Sequence, residues 1–402
     1  MTTPAFWLYL TSRFCSASAT MLLRAAIAWH VYAVSHSAFH LGLIGLVQFI
    51  PVPTFMLVGG AVADTYDRRK VMMAAQTVAL CCAIGLFAVT RSGRETLPLL
   101  YATVALVSVA WAFDSPSRAA VLPSLVSREE FPRAVTVAAT LQALAFASGP
   151  AAAGWVIASG GVANAYAVQA ALVTASLPTL WLLRSRPAVA GASRALSLGA
   201  IADGLRFVRR NEVVLGCMLL DMLAVIFGGA AALLPIYARD LLDVGARGYG
   251  LLSASLDAGA LLMSVALMLL PPIRRGGRAL LAAVAVYGVA TIVFGLSRSF
   301  PLSIVAYAVV GMADQVSVVM RGTAIQLSTP DALRGRVSGV NMIFIGASNQ
   351  LGAAESGFVA ALTTPTFAVV SGGVASLVVL AVVALRMPQL RRYRTDREAA
   401  AR

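Results

Sequence analysis

Apolar runs about twenty residues long, separated by short arginine-rich loops, recur along the whole of this chain. Residues 40–63 carry no charge, and neither do residues 71–90. An α-helix needs about twenty residues to cross roughly 30 Å of hydrocarbon. Inside lipid only a helix or a closed barrel satisfies its own backbone. Twelve apolar segments can be marked, at 5–33, 41–63, 71–90, 97–117, 134–159, 163–184, 212–238, 248–271, 279–297, 301–322, 337–361 and 365–386. Hydrophobic residues make up 59% of the 402 and charged residues 12%, and the mean hydropathy is +0.83. This balance excludes an ordinary soluble domain. It points to an all-α membrane protein with most of its length in a lipid bilayer.

The net charge of +14 would suggest a nucleic-acid partner in a soluble protein. Here the basic residues sit in the short loops, so no nucleic acid is expected. Of 31 basic residues, 24 fall on the face that holds Arg68, Arg69 and Lys70, and five on the other. The remaining two, Arg13 and Arg24, lie in the first apolar run. Cytoplasmic loops carry the excess of Lys and Arg, so both termini are expected in the cytoplasm. That first run is too long for a leader, and no cleavable signal is expected. Cys15, Cys81, Cys82 and Cys217 all fall in apolar runs without metal-ligand spacing; they read as buried small residues, with no metal and no cofactor.

Between the second and third runs stands Gly59-Gly60-Ala61-Val62-Ala63-Asp64-Thr65-Tyr66-Asp67-Arg68-Arg69-Lys70. The glycines permit close helix approach, and the two acids can meet a helix N-terminus or an arginine. The spacing Gly60-x-x-x-Asp64-x-x-Asp67-Arg68-Arg69-Lys70 resembles the loop between helices 2 and 3 of major facilitator superfamily transporters, G-x-x-x-D-R-x-G-R-R/K. Thr65 replaces the family's arginine and Asp67 its glycine. The second change is similar to the branch of bacterial drug and siderophore exporters. Phe113-Asp114-Ser115-Pro116-Ser117-Arg118 also resembles that branch, with Pro116 expected to end or kink its helix and Arg118 expected as a gate residue near Asp64. Gly149-Pro150-Ala151-Ala152-Ala153-Gly154 partly resembles the antiporter motif G-P-x-x-G-G, and close helix packing is the plainer role for Gly149, Pro150 and Gly154.

The halves repeat. At an offset of 203 residues Arg118 falls on Arg321, Arg133 on Arg336, Gly149 on Gly352 and Gly154 on Gly357. Parallel six-helix repeats are what the two halves of a major facilitator protein show. The resemblance therefore implies twelve transmembrane helices in two pseudo-symmetric six-helix bundles. The expected domains are an N-terminal bundle over 1–184, a cytoplasmic linker over 185–211, a C-terminal bundle over 212–386 and a tail over 387–402. In the linker, Leu198, Ile201, Leu205 and Val208 have helical spacing with arginines between them, which suggests an amphipathic helix at the interface. The loop at 272–278 keeps arginines but lacks the acids of 64–70.

Charges within apolar runs are costly and mark function by default. A carboxylate removed from water can load and release a proton. Asp257 and Asp314, nearest mid-span, are the leading proton carriers, with Glu355 and Asp221 behind them. A static ion pair fixing helix register is the competing role. Asp114 and Asp221 lie near the cytoplasmic end, where solvent or a loop arginine can satisfy them. Arg13 and Arg24 can pair with such acids or attract an anionic substrate. Arg24, Gln48, Tyr287, Gln315 and Asn349, with the two central acids, form the candidate substrate lining. His30, His36 and His40 read as ordinary interfacial histidines. No phosphate-cradling loop or hydrolase motif is present, so the chain is expected to be no enzyme. The resemblance implies a monomeric, proton-coupled exporter of an amphipathic small organic molecule, a drug or siderophore, in the bacterial inner membrane. The substrate is expected near mid-membrane between the halves. An importer, an uncoupled facilitator, and a receptor or lipid-handling protein on the same fold are the alternatives.

Overall fold

A computed structural model describes residues 4–183 and 198–395. The first part of the expected linker and the end of the tail lie outside the described residues. The helices are α1 (Pro4–Ser35), α2 (Ala38–Phe49), α3 (Pro51–Thr65), α4 (Arg68–Arg91), α5 (Leu97–Leu125), α6 (Phe131–Leu182), α7 (Leu198–Arg210), α8 (Glu212–Phe227), α9 (Leu234–Ile236), α10 (Gly245–Leu269), α11 (Gly276–Leu296), α12 (Phe300–Ser328), α13 (Arg334–Leu362), α14 (Pro365–Arg386) and α15 (Pro388–Arg392). A 3-10 turn, Ala230–Leu233, precedes α9 and a π turn, Tyr237–Leu241, follows it.

Nine helices among the described residues are long and apolar enough to cross a membrane, with Glu212–Leu241 taken as one. The departures from twelve even segments have local causes. Helix α6, counted as one among the nine, is two helices that meet at a kink, and the kink falls in the gap expected between 134–159 and 163–184. It is broken at Gly161, whose φ of 80° is a left-handed value open to glycine. The segment 41–63 is interrupted at Ile50, because Pro51 begins a new helix. Helix α13 has the length to span but is diluted by Asn341, Asn349, Gln350 and Glu355. Of the two outcomes expected at Pro116 in α5, an end or a kink, the end does not occur. The helix carries both Pro116 and Pro123 and continues to Leu125, as membrane helices can when neighbours satisfy the freed backbone.

By contact the chain forms two compact units. The first holds Met1–His36, Val47–Ala195 and Asp243–Ala254; the second holds Ser37–Leu46, Leu196–Leu242 and Ser255–Arg402. Each unit thus includes a short stretch whose chain neighbours lie in the other. Small residues seat both stretches. In the first unit a Cβ on Gly154 would come within 2.5 Å of the Ala246 carbonyl oxygen and 2.6 Å of the Gly250 Cα. In the second, a Cβ on Gly357 would collide with the Gly42 backbone. These backbones touch because no side chain stands between them. Gly59 packs likewise on Ala112, but Gly60 faces open space, so only one glycine of that pair serves close approach.

The first unit is closed at one end by Phe6, Tyr9, Leu10, Met72, Val121, Leu122 and Leu180. The second is centred on Val214, Cys217, Met218, Leu220, Leu280, Val337 and Leu390. Many large apolar residues, among them Leu262, Met268 and Leu385, are exposed; on a spanning helix that exposure faces lipid. Of the cysteines only Cys217 is buried, whereas Cys81 is exposed and Cys15 and Cys82 are half-buried. Burial in protein was the wrong expectation for those three: lipid accepts a thiol as readily as a protein interior does. Helix α7 packs on the second unit through the buried Val208 and through Gly204, which faces the Arg336 backbone. Leu205 is exposed, and the side chains of Leu198 and Ile201 lie outside the described ones.

Candidate functional site

The motif loop is pinned by its charges. The Asp67 carboxylate caps α4, accepting from the Arg69 backbone N–H at 2.9 Å, where it meets the positive end of the helix. Arg68 donates to the Ala120 carbonyl at 3.0 Å and Arg69 to that of Leu183 at 3.3 Å. These contacts tie the loop to the ends of α5 and α6. The Asp64 side chain lies outside the described ones.

Two arginines counted among the loops are buried inside spanning helices. Arg118 lies in α5 and Arg321 in α12. Each has an acid of its own, so Asp114 and Asp221 are neither solvated nor paired with loop arginines. Asp114, one helical turn before Arg118, accepts from its Nε at 2.9 Å and its Nη2 at 3.0 Å. Arg118 also reaches Ser12 and Ser16 of α1 at 3.4 Å each. Asp221 of α8 pairs with Arg321. At the pseudo-equivalent place in each repeat, one cation ties the fourth span toward the first, but the acid comes from a different helix.

Asp257 of α10 and Asp314 of α12 are brought together by glycine. A Cβ on Gly259 would collide with the Ala308 backbone, and one on Gly311 with that of Leu256. The helices therefore touch backbone to backbone around the two acids, which lie within electrostatic reach of each other. Among the described residues neither acid has an ion pair or hydrogen bond. Asp314, Tyr287, Ser317 and Asp221 line one small cavity with room for about one water. The Tyr287 hydroxyl donates to the Gly228 carbonyl at 3.1 Å. Gln315 is half-buried on α12 beside Asp314. Glu355 of α13 accepts from Ser356 at 3.2 Å, and the exposed Asn349 bonds back to its own helix at Ile345, 2.9 Å away. In the first unit Gln48 is half-buried and Arg24 exposed, and Arg24 has no ion pair among the described residues.

Gly311→Ala should therefore lower the thermal unfolding temperature of the purified protein, by an overpacking cost of about 1–3 kcal/mol. Gly322→Ala on the same helix, where a Cβ meets open space, should leave it unchanged. Equal behaviour of the two variants would show that the α10–α12 contact is not tight.

His30 departs from an interfacial role. It is buried, with Nδ1 2.8 Å from the Tyr166 hydroxyl. Nothing in the sequence near His30 signals this, since the partner stands 136 positions away.

The model of the transmembrane secretion effector family of the major facilitator superfamily matches residues 2–401. The chain belongs to this family. It is 29% identical over 398 residues to the enterobactin exporter EntS of Escherichia coli O1:K1, covering 98% of this chain and 94% of that protein. The match to the Escherichia fergusonii exporter of the same name has the same extent. Among solved structures, the fold is similar to that of the nucleoside transporter NupG, with a TM-score of 0.70 at 14% identity over 97% of this chain and 100% of that one. It is also similar to a bacterial homologue of the human lysosomal transporter Spinster, with a TM-score of 0.73 at 13% identity over 99% and 98%. The transporter is thus a multi-pass membrane protein of the major facilitator fold and not an enzyme.

Proposed function

We propose that this transporter exports an amphipathic, acidic, siderophore-like molecule from the bacterial cytoplasm, driven by protons that enter through Asp257 and Asp314. Both termini lie on the cytoplasmic side of the inner membrane, the protein acts as a monomer, and transport proceeds by alternating access. The observation that carries the coupling is the pair of neighbouring spanning-segment acids, Asp257 and Asp314, held without a cation among the described residues. A static pair would have its arginine, as Asp114 and Asp221 do. Two acids without one repel when both are charged, and a proton that comes and goes relieves them. Arg24, exposed and without an ion pair among the described residues, supplies the attraction for an acidic substrate. The likeness to the enterobactin exporter supports both the direction and the substrate class.

The test is efflux in a strain stripped of its own exporters and supplied with enterobactin. Expression of the chain should raise the siderophore in the medium, and a protonophore should stop it. Accumulation inside the cell would favour an importer, and efflux indifferent to the protonophore would remove the proton coupling.

A further inference from the structure

The four arginines set within spanning helices fall into two kinds. Arg118 and Arg321 have carboxylate partners. Arg13 and Arg24, both on α1, have none among the described residues. They stand eleven residues apart, which is three helical turns plus about 20°, so they share one face and are separated by about 16 Å along the axis. Ser16 and Thr20 stand between them at helical spacing, half-buried, while Leu22, Leu23, Ala25 and Ala26 turn inward and are buried.

Among the described residues Arg13 is held by neutral groups only. Its Nη1 donates to the Tyr9 hydroxyl at 3.0 Å, and its Nη2 donates to Gln142 Oε1 on α6. The Tyr9 hydroxyl is fixed in turn by donating to the Arg118 carbonyl at 3.1 Å. The buried Nε of Arg13 has no partner among the described residues. Asp114, the one acid in contact with this network among the described residues, is engaged by both Nε and Nη2 of Arg118. The guanidinium is therefore oriented, but no carboxylate among the described residues compensates its charge. An uncompensated charge inside a membrane protein is costly. It is cheap only while an anion is present, and a guanidinium grips a planar oxyanion with two parallel hydrogen bonds.

We infer that Arg13 is a second anion-binding position on α1, which receives the acidic group of the transported molecule at the N-terminal end of the helix, apart from its hold by Arg24 further along. The inference rests on the reading that the substrate is acidic. The Ser16 hydroxyl accepts from Arg118 and keeps its own proton to donate to such a group between the two cations. The Thr20 hydroxyl donates to the Ser16 carbonyl at 2.8 Å, which leaves the stripe polar along its length.

The experiment uses the full chain in nanodiscs of phosphatidylcholine, with 2-naphthoate as an amphipathic acid and 2-naphthamide as its neutral counterpart, by equilibrium dialysis. Wild type should bind about two naphthoates per chain, and Arg13→Gln and Arg24→Gln about one each. Naphthamide binding should be weak and equal in all three. Arg13→Gln combined with Gln142→Arg, which returns a cation from the facing helix, should restore the second naphthoate; a hydrogen bond that merely joins α1 to α6 would not give that rescue. Unchanged naphthoate stoichiometry in Arg13→Gln would overturn the inference. So would equal losses of acid and amide. If Arg13→Gln alters only the phosphatidylglycerol retained by mixed discs, the position is a lipid site and the inference falls. Failure of enterobactin efflux with two naphthoate sites intact would instead count against the substrate reading alone.

Discussion

Asp314→Asn is expected to abolish uphill efflux while leaving downhill exchange at the wild-type rate. Exchange returns a loaded carrier without a net protonation cycle, so a coupling acid is dispensable for it. Asparagine keeps the shape and the cavity with Tyr287 and Ser317 but cannot carry a proton. Asp257→Asn, made separately, should give the same result if the two acids share one proton, because each lies in the other's field. Proteoliposomes with an imposed proton gradient, compared with counterflow in its absence, measure both. Wild-type uphill efflux in both variants would pass the role to Glu355 or Asp221. Loss of exchange together with efflux would place the acid in the substrate site or in the fold.

The spanning segments were legible in the sequence because lipid imposes one length and one composition on nearly all of them. Most boundaries followed, among them the break at Gly161 between 134–159 and 163–184. The departures include Pro51, which divides 41–63, and Pro116, past which α5 runs on; at both a backbone property decides what hydropathy does not register. Helix α12 also runs on, to Ser328. The small residues of the Gly149–Gly154 stretch could be read as packing positions, but their partners could not. The stretches 37–46 and 243–254 join the compact unit opposite to that of their chain neighbours, and contact of this kind leaves no trace in local pattern. Arg118 shows the same division. Its acid, Asp114, is one turn away on the same helix and could have been paired by spacing alone. The acid of Arg321 is 100 positions distant in sequence and on another helix, so only the fold brings it close. The repeat offset matched the two arginines and gave no hint that their acids differ. That no cation among the described residues pairs with Asp257 or Asp314 was equally hidden, since it depends on what fails to reach them.

Breaking the Arg321–Asp221 pair should be the most destabilising single change in the second unit. The two groups are buried, with room for about one water beside Asp221, too little to solvate a lone charge. Removing one partner from such a pair costs about 3–5 kcal/mol, whereas replacing both with apolar residues of similar size is often neutral. Asp221→Leu and Arg321→Met are therefore each expected to lose most folded protein in detergent, and the double variant to recover it. Thermal unfolding followed by size exclusion gives the three values. Additive losses in the double variant would mean that the two residues stabilise the helices independently and that the pair is not the unit of stability. The recovered double variant also separates structure from coupling. Asp221 faces the same small cavity as Asp314, so a proton leaving Asp314 could cross one water to reach it. If the double variant is folded and still drives uphill efflux, Asp221 serves the fold alone. If it is folded but retains only exchange, the proton path includes Asp221, and Arg321 sets how readily that acid accepts the proton.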